Sequence, residues 1–350
     1  MQIQFVAPRT LWGEVSWENY ELGRAAGTES VTLHVAKYLA EFGHDVSIVE
    51  EPSGSPDVAI GVNLVLPRDS ATKVYLDSHQ AWSGIPEHVD GIFVRSYFHQ
   101  RMQRTVNPNI DPDKFFIVGN GVDPFEWDGE KIKNKDMFIW ASSPERGLIH
   151  LINLWPAIRW QKPAATLHIY YDVMRSLENW RWGVSRMNVE AQILYSYLNR
   201  EHMEDFGIYV HGMVQREHYV SAMRQADYLL YTCDPQYPSE LFCMTAAEAV
   251  AAETKLVIPA DIDALNEIYR DCALVIEGPP IDEYPDNSIN KAWISAAVDE
   301  WDIKPESSQY IIDTYSWYNV ARRYESVLLG EEMDFGKPKL RIIPGVINAD

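Results

Sequence analysis

Two carboxylates with a helical spacing stand out in the second half of the chain. Glu240 and Glu248 are separated by seven residues in Glu240-Leu-Phe-Cys-Met-Thr-Ala-Ala-Glu248. Eight helical steps of about 100° would set them ~80° apart around one axis and ~12 Å apart along it. The spacing predicts one Glu at a helix start and the other two turns inside the helix. Unpaired N–H groups at a helix start attract phosphate, and a carboxylate nearby accepts hydrogen bonds from sugar or ribose hydroxyls. Arg146 belongs with them. It follows an apolar run and a Ser142-Ser143-Pro144 turn at the start of a helical pattern, where a guanidinium can grip a diphosphate bidentately. Its plainer alternative is a solvated ion pair with Glu145 or another acid.

These residues need a scaffold, and the pattern of the chain describes one. Short apolar runs alternate with longer helical stretches, the signature of a parallel α/β sheet. The first third predicts strands at Ile3–Ala7, Asp45–Val49, Asp57–Val62, Lys73–Leu76, Gly91–Val94 and Phe115–Val118. Thr28–Phe42 reads as a helix closed by Gly43. The charged stretch Asp128–Asp136 reads as a linker, after which strands are expected at Met137–Ala141, Thr166–Tyr171, Ile208–His211, Tyr228–Tyr231, Lys255–Ile258 and Ala273–Ile276. The expected domains are residues 1–127 and 137–305, with closing helices over 306–330. Residues 331–350 are expected to form a tail on the surface or a partly disordered one. Trp155, Trp160, Trp293 and Trp317 lie in helical patterns and are expected in the core.

Composition narrows the function. A chain of 350 residues with 46% hydrophobic residues can bury two cores, and a net charge of −21 argues against nucleic acid and anionic membrane as partners. It does not exclude a nucleotide, whose phosphates need one or two local donors. Cys233, Cys243 and Cys272 form no Cys-x-x-Cys pair and read as reduced core residues, which, with no visible signal peptide, implies a cytoplasmic protein. No apolar run is long enough for a membrane span. No zinc spacing, Gly-x-Gly-x-x-Gly or P-loop Lys is present. Trp12, Trp17 and Trp82, with Tyr20, could stack on acceptor sugar rings.

The glutamate segment resembles the Glu-x7-Glu signature of retaining glycosyltransferases with the GT-B fold, the large glycogen-synthase-like family of mannosyl- and glucosyltransferases. The likeness continues along the chain. Ala26-Gly27-Thr28-Glu29 resembles the family's Gly-Gly-x-Glu helix, and Gly43-His44-Asp45-Val46 its Gly-His-Glu-Val strand entry. Asn120-Gly121-Val122-Asp123 resembles the end of the first domain, and Ser142 to Leu148 the first loop of the second. Tyr315-Ser316-Trp317 resembles the helix that closes the fold.

The resemblance implies an α/β protein of two Rossmann-like domains facing each other across a cleft, with a C-terminal helix crossing back to the first. It implies a metal-independent hexosyl transfer, with retention, from a nucleotide sugar, a UDP- or GDP-sugar, to a hydroxyl acceptor, and no other cofactor. Glu248 would bind ribose and Glu240 the sugar hydroxyls. N–H groups near Phe242, Cys243 and Met244, together with Ser143 and Gly27, would line the donor site. His79, after the strand that ends near Asp77, would face the donor sugar, with Asp77 a weaker candidate in the same turn; a purely structural histidine is the alternative. Ser142 and Ser143 stand where the family places a second basic residue, so Arg146 is a lone cation, with Arg216 and Lys255 as the next residues to consider. Asp261-Ile262-Asp263 has the form of a metal-binding Asp-x-Asp, but its place before a late helix reads as a helix N-cap. A binding protein without catalysis, or an epimerase or phosphorylase of the same fold, are the other readings.

Overall fold

The computed structural model describes residues 1–9, 13–25, 27–81, 83–234, 240–280, 287–304 and 306–331. The chain divides into two compact units: Met1–Asp123 together with the described residues from Ile312 onward, and Pro124–Ile311. Each is built on one six-stranded parallel sheet. In the first, β1 (Gln2–Val6), β2 (Asp45–Val49), β3 (Val58–Val62), β4 (Lys73–Asp77), β5 (Gly91–Val94) and β6 (Phe115–Ile117) lie in the order β2-β1-β3-β4-β5-β6. In the second, β7 (Asn134–Trp140), β8 (Thr166–Tyr170), β9 (Ile208–Gly212), β10 (Ala226–Leu230), β11 (Lys255–Pro259) and β12 (Leu274–Ile276) lie in the order β12-β11-β10-β7-β8-β9.

All twelve expected strands form, because strands covered on both faces by helices must be apolar almost continuously. Every residue of β3 and of β10 is buried. The largest difference in a strand start is at β7, which begins at Asn134, three residues before the expected Met137. The expected helix over 28–42 spans Gly27–Glu41. Among the four helical tryptophans, Trp155, Trp293 and Trp317 are buried, but Trp160 is 87% exposed. Helical geometry explains the difference: Trp160 lies five residues after Trp155, about 140° around the axis of Leu148–Gln161, and cannot share its face.

The C-terminal helix Trp317–Leu329 packs against Gly27–Glu41 within the first unit. Its start is tied to the Asn120–Asp123 segment: Val122 N–H donates to the Tyr315 carbonyl at 2.8 Å, and Trp317 N–H donates to the Val122 carbonyl at 3.1 Å. Gly121 makes that approach possible, since a Cβ there would lie 2.4 Å from the Trp317 ring. Trp317 in turn stacks on the buried His34. All three cysteines are buried free thiols. Among the described residues no helix is long and apolar enough to cross a membrane.

Candidate active site

In an open parallel sheet, ligands bind outside the C-terminal ends of the strands, where neighbouring strands send their connections in opposite directions. In the second unit that point lies between β7 and β10, which are adjacent although β8 and β9 intervene in sequence. The loop after β7 carries Arg146, and the loop after β10 leads to Glu240. The chain turns tightly there: Gly147 sits at φ +102°, and a Cβ on it would lie 2.1 Å from the Thr232 carbonyl oxygen. Thr232 Oγ1 donates to the Gly147 carbonyl at 2.7 Å, locking the two loops together.

The lock brings Arg146 and Glu240 into contact. Arg146 Nη1 donates to Glu240 Oε2 at 3.0 Å, and the Tyr231 hydroxyl donates to the same oxygen at 2.7 Å. Glu240 Oε1 accepts from the backbone N–H of Leu241 at 3.1 Å and of Phe242 at 3.3 Å. Burial works against the Arg146 charge, but its neighbours, Glu240 first, more than offset this and hold the guanidinium above its ordinary value. Tyr231, fully buried beside Cys243 and Glu240, is pushed well above the ordinary phenol value and stays a donor. Sequence reasoning placed Tyr231 only at a strand end. Asp234, in the same loop, accepts from His150 Nε2 at 3.2 Å and Arg186 Nη2 at 2.8 Å, and no local sequence signal connects those three residues.

The helical spacing of the two glutamates does not hold. The helix spans only Met244–Ala251, with Cys243 at its start in a left-handed conformation at φ +66°, so Glu240 lies four residues before it in an irregular loop. The physical reason is that Glu240 folds back onto the N–H groups of its own loop instead of extending a helix. Residues 235–239, with the expected Pro238-Ser239 turn, lie outside the described residues. Glu248 is helical as expected, but it lies about one turn inside the helix rather than two. It is 4% exposed and accepts from Arg216 Nη2 and the Tyr219 hydroxyl, both at 2.6 Å, while Arg216 also pairs with Glu126. Arg216 therefore serves Glu248.

The other expected donor-site residues are placed as follows. Phe242 and Cys243 are buried, and Met244 opens the helix. The Phe242 N–H is directed at Glu240, and the Ser143 hydroxyl donates to Glu145. Lys255 is the first residue of β11, at the N-terminal end of the strands and so opposite the site, where it pairs with Asp227. Asp263 is the first residue of a helix whose cap is Ile262, so the N-cap reading of that pair is corrected. Among the described residues no group of three or more His, Cys, Asp or Glu side chains is arranged to hold a metal.

In the first unit, Asp77 ends β4 and is fully buried. One of its oxygens, Oδ1, accepts from Arg95 and, at 2.8 Å, from the Tyr324 hydroxyl, and Oδ2 meets His79 Nε2 at 3.2 Å. A carboxylate bound to a buried guanidinium is an acceptor only, so His79 carries its proton on Nε2. Burial pushes the His79 pKa down to about 4, with the Glu29 charge opposing, and the ring is neutral near pH 7. The His79 backbone N–H donates to Asn63 Oδ1 at 2.8 Å, just beyond β3. Gly27 is the exposed first residue of its helix. Trp17 opens a short helix, 38% exposed, with its ring edge-on to Tyr20 and His34. Trp12 and Trp82 lie outside the described residues.

No family model and no curated protein matches this sequence. Solved structures match over nearly its whole length. AviGT4, a glycosyltransferase involved in avilamycin A biosynthesis, is 14% identical over 94% of this chain and 98% of its own, with a TM-score of 0.65. A glycosyltransferase from Rickettsia africae ESF-5 is 15% identical with the same coverage and a TM-score of 0.63. Anabaena Alr3699/HepE in complex with UDP and glucose is 13% identical over 94% of this chain and 100% of its own, with a TM-score of 0.60. At such identities the likeness establishes the fold. The chain has the GT-B fold.

Proposed function

We propose that this protein is a glycosyltransferase that moves a sugar, with retention and without a metal, from a nucleotide sugar to an acceptor hydroxyl. The observation that carries the reading is the Arg146–Glu240–Tyr231 cluster at the switch point of the second sheet, with Glu248 one helix beyond. The donor would be held by the unit Pro124–Ile311 and the acceptor by Met1–Asp123. A UDP-sugar is favoured over a GDP-sugar because the similar HepE is known in complex with UDP and glucose. Arg146 would exchange its contact with Glu240 for the diphosphate, placing its charge where negative charge grows as the leaving group departs. Glu240, released from Arg146, would accept from the sugar hydroxyls. Glu248 uses one contact on each oxygen, which leaves lone pairs for a ribose hydroxyl. The leaving phosphate would serve as base on the attacking face, so neither glutamate acts as nucleophile.

A second reading, a nucleotide- or glycan-binding protein without catalysis, draws on one specific observation. Arg146 is already neutralised by Glu240, and Ser142 and Ser143 leave the loop without another cation. Turnover of UDP-glucose by the purified protein, with products resolved by mass and anomeric form, separates the readings. Release of UDP with an α-configured product, at an unchanged rate after exhaustive EDTA treatment, is the expected result. Loss of activity with EDTA, restored by Mn²⁺ or Mg²⁺, overturns the metal-independent mechanism. Tight UDP binding with no turnover of UDP- or GDP-sugars favours the binding protein, and epimerised donor or sugar phosphate as product favours an epimerase or phosphorylase.

A further inference from the structure

The connection from β8 to β9 gathers exposed apolar side chains in one place. It consists of the helices Val173–Trp180 and Arg186–Leu198, joined by the loop 181–185. In that loop Trp182 is 71% and Val184 96% exposed, and Val189 and Ile193, one turn apart on the second helix, are exposed as well. Gln192 Nε2 donates to the Gly183 carbonyl at 3.2 Å, which lays the loop along the helix beside Val189 and Ile193. The four side chains therefore form one patch, and a continuous apolar patch marks an interaction site. The loop is held in this shape. Ser185 and Asn188 form a capping box, and Asn188 Nδ2 donates to the Trp180 carbonyl at 2.6 Å. The Arg181 guanidinium lies between two rings, 4.5 Å from the centroid of Trp182 and 4.4 Å from that of Tyr195. Its own contacts hold the apolar tip outward.

Charge indicates the partner. The whole chain carries −21, yet within residues 175–200 four arginines stand against two glutamates. Arg175 lies beside Asp172, and Arg186 pairs with Glu190 and Asp234. Arg181, at the tip, has its two aromatic neighbours and, among the described residues, no carboxylate. Indole and guanidinium around an aliphatic tip suit a lipid headgroup region: the indole sits at headgroup level, the aliphatic side chains enter the acyl boundary, and the guanidinium meets phosphate. The total charge of the chain opposes an anionic membrane, but screening confines each charge to about 8 Å at physiological ionic strength. At the contact, the local sign decides. We propose that the loop 181–185, with Val189 and Ile193, docks this protein peripherally on a lipid bilayer, and that anionic lipids strengthen the docking.

The test is flotation of the whole protein with vesicles of phosphatidylcholine, alone or with phosphatidylglycerol added. Wild type is compared with Val184→Glu, Trp182→Ser and Trp160→Ser, the last an exposed tryptophan outside the patch. Wild type should float with the mixed vesicles, less with phosphatidylcholine alone and less at high salt. Val184→Glu and Trp182→Ser should bind at least about tenfold more weakly, because apolar area no longer enters the bilayer. Trp160→Ser should bind as wild type does. The melting temperature of Val184→Glu should match wild type, since the side chain is almost wholly in solvent. Failure of wild type to float with either vesicle overturns the proposal. So does equal flotation of wild type and Val184→Glu, or an equal loss in Trp160→Ser. Equal binding to the two vesicles overturns the preference for anionic lipid. Light scattering supplies the remaining arm: a dimer abolished by Val184→Glu, with no flotation of wild type, assigns the patch to a second copy of the chain and overturns membrane docking.

Discussion

Arg146 and Glu240 hold each other, so each should report on the other. Glu240→Gln removes the charge that occupies Arg146 while keeping the carbonyl that faces Leu241 and Phe242 N–H. UDP binding should hold or tighten, and transfer should fall at least about tenfold, because a sugar contact is lost. Unchanged kcat would show that Glu240 only restrains Arg146. Arg146→Ala should weaken UDP binding by roughly 10- to 150-fold, the range of about 1.5–3 kcal/mol for a charged donor. Arg146→Lys should restore part of this, because an ammonium lacks the bidentate geometry. Glu248→Gln should raise the Kd for UDP about tenfold even without acceptor, since ribose contacts do not change during the reaction. Calorimetry with UDP alone measures all four variants, and an unchanged Kd for Glu248→Gln moves the ribose contact elsewhere.

At the level of elements, the loops after β7 and β10 define the site, and a single glycine permits their approach. Gly147→Ala forces a left-handed residue and a Cβ against the Thr232 carbonyl oxygen. Its expected cost is at least ~2 kcal/mol of stability, with a further loss of UDP affinity as Arg146 moves. Gly212, at φ +69° with nothing within 4 Å of where a Cβ would sit, is the control. There Gly212→Ala carries only the conformational penalty of about 1–2 kcal/mol, and Arg146 keeps its place. Urea unfolding with UDP titration on both variants tests this, and equal effects on UDP binding would mean that Gly147 does not position Arg146. The short helix Met244–Ala251 teaches a related lesson. Glu248 keeps its helical place, whereas Glu240 is positioned by hydrogen bonds to Tyr231, Arg146 and its own loop.

For the whole molecule, the buried histidines predict how acid acts. Burial lowers His79 to about 4, and burial with the nearby Arg95 charge lowers His99 to about 3. Arg95 N–H donates to His99 Nδ1 at 3.1 Å, which fits a neutral ring. Unfolded histidine titrates near 6.5. Between about 6.5 and 4 the unfolded chain therefore binds protons that the folded chain refuses, so stability falls as the pH falls. Two such groups give a slope of up to about 2.7 kcal/mol per pH unit. Urea midpoints at pH 7.5, 6 and 5 should drop accordingly, and the double variant His79→Gln/His99→Gln should flatten the drop. A slope unchanged in that variant would assign the acid sensitivity to other groups.

All twelve strands and the two-sheet plan were legible in the sequence, because burial on both faces of a parallel sheet writes a nearly continuous apolar run for each strand. Short-range rules also served where the geometry stayed regular, as at Glu248. They failed where a side chain roughly 100 residues away decides the conformation. The Arg146–Glu240 contact depends on β7 and β10 lying side by side, and no periodicity records that adjacency. Contacts between residues distant in sequence also set Arg216 and Tyr219 on Glu248 and the Arg95–Asp77–Tyr324 network that sets the His79 tautomer. Sequence alone determined which elements exist, since each is stabilised by its own pattern of burial. Which polar groups meet was decided by strand order, because a hydrogen bond acts over about 3 Å and only the packed sheet brings distant loops that close.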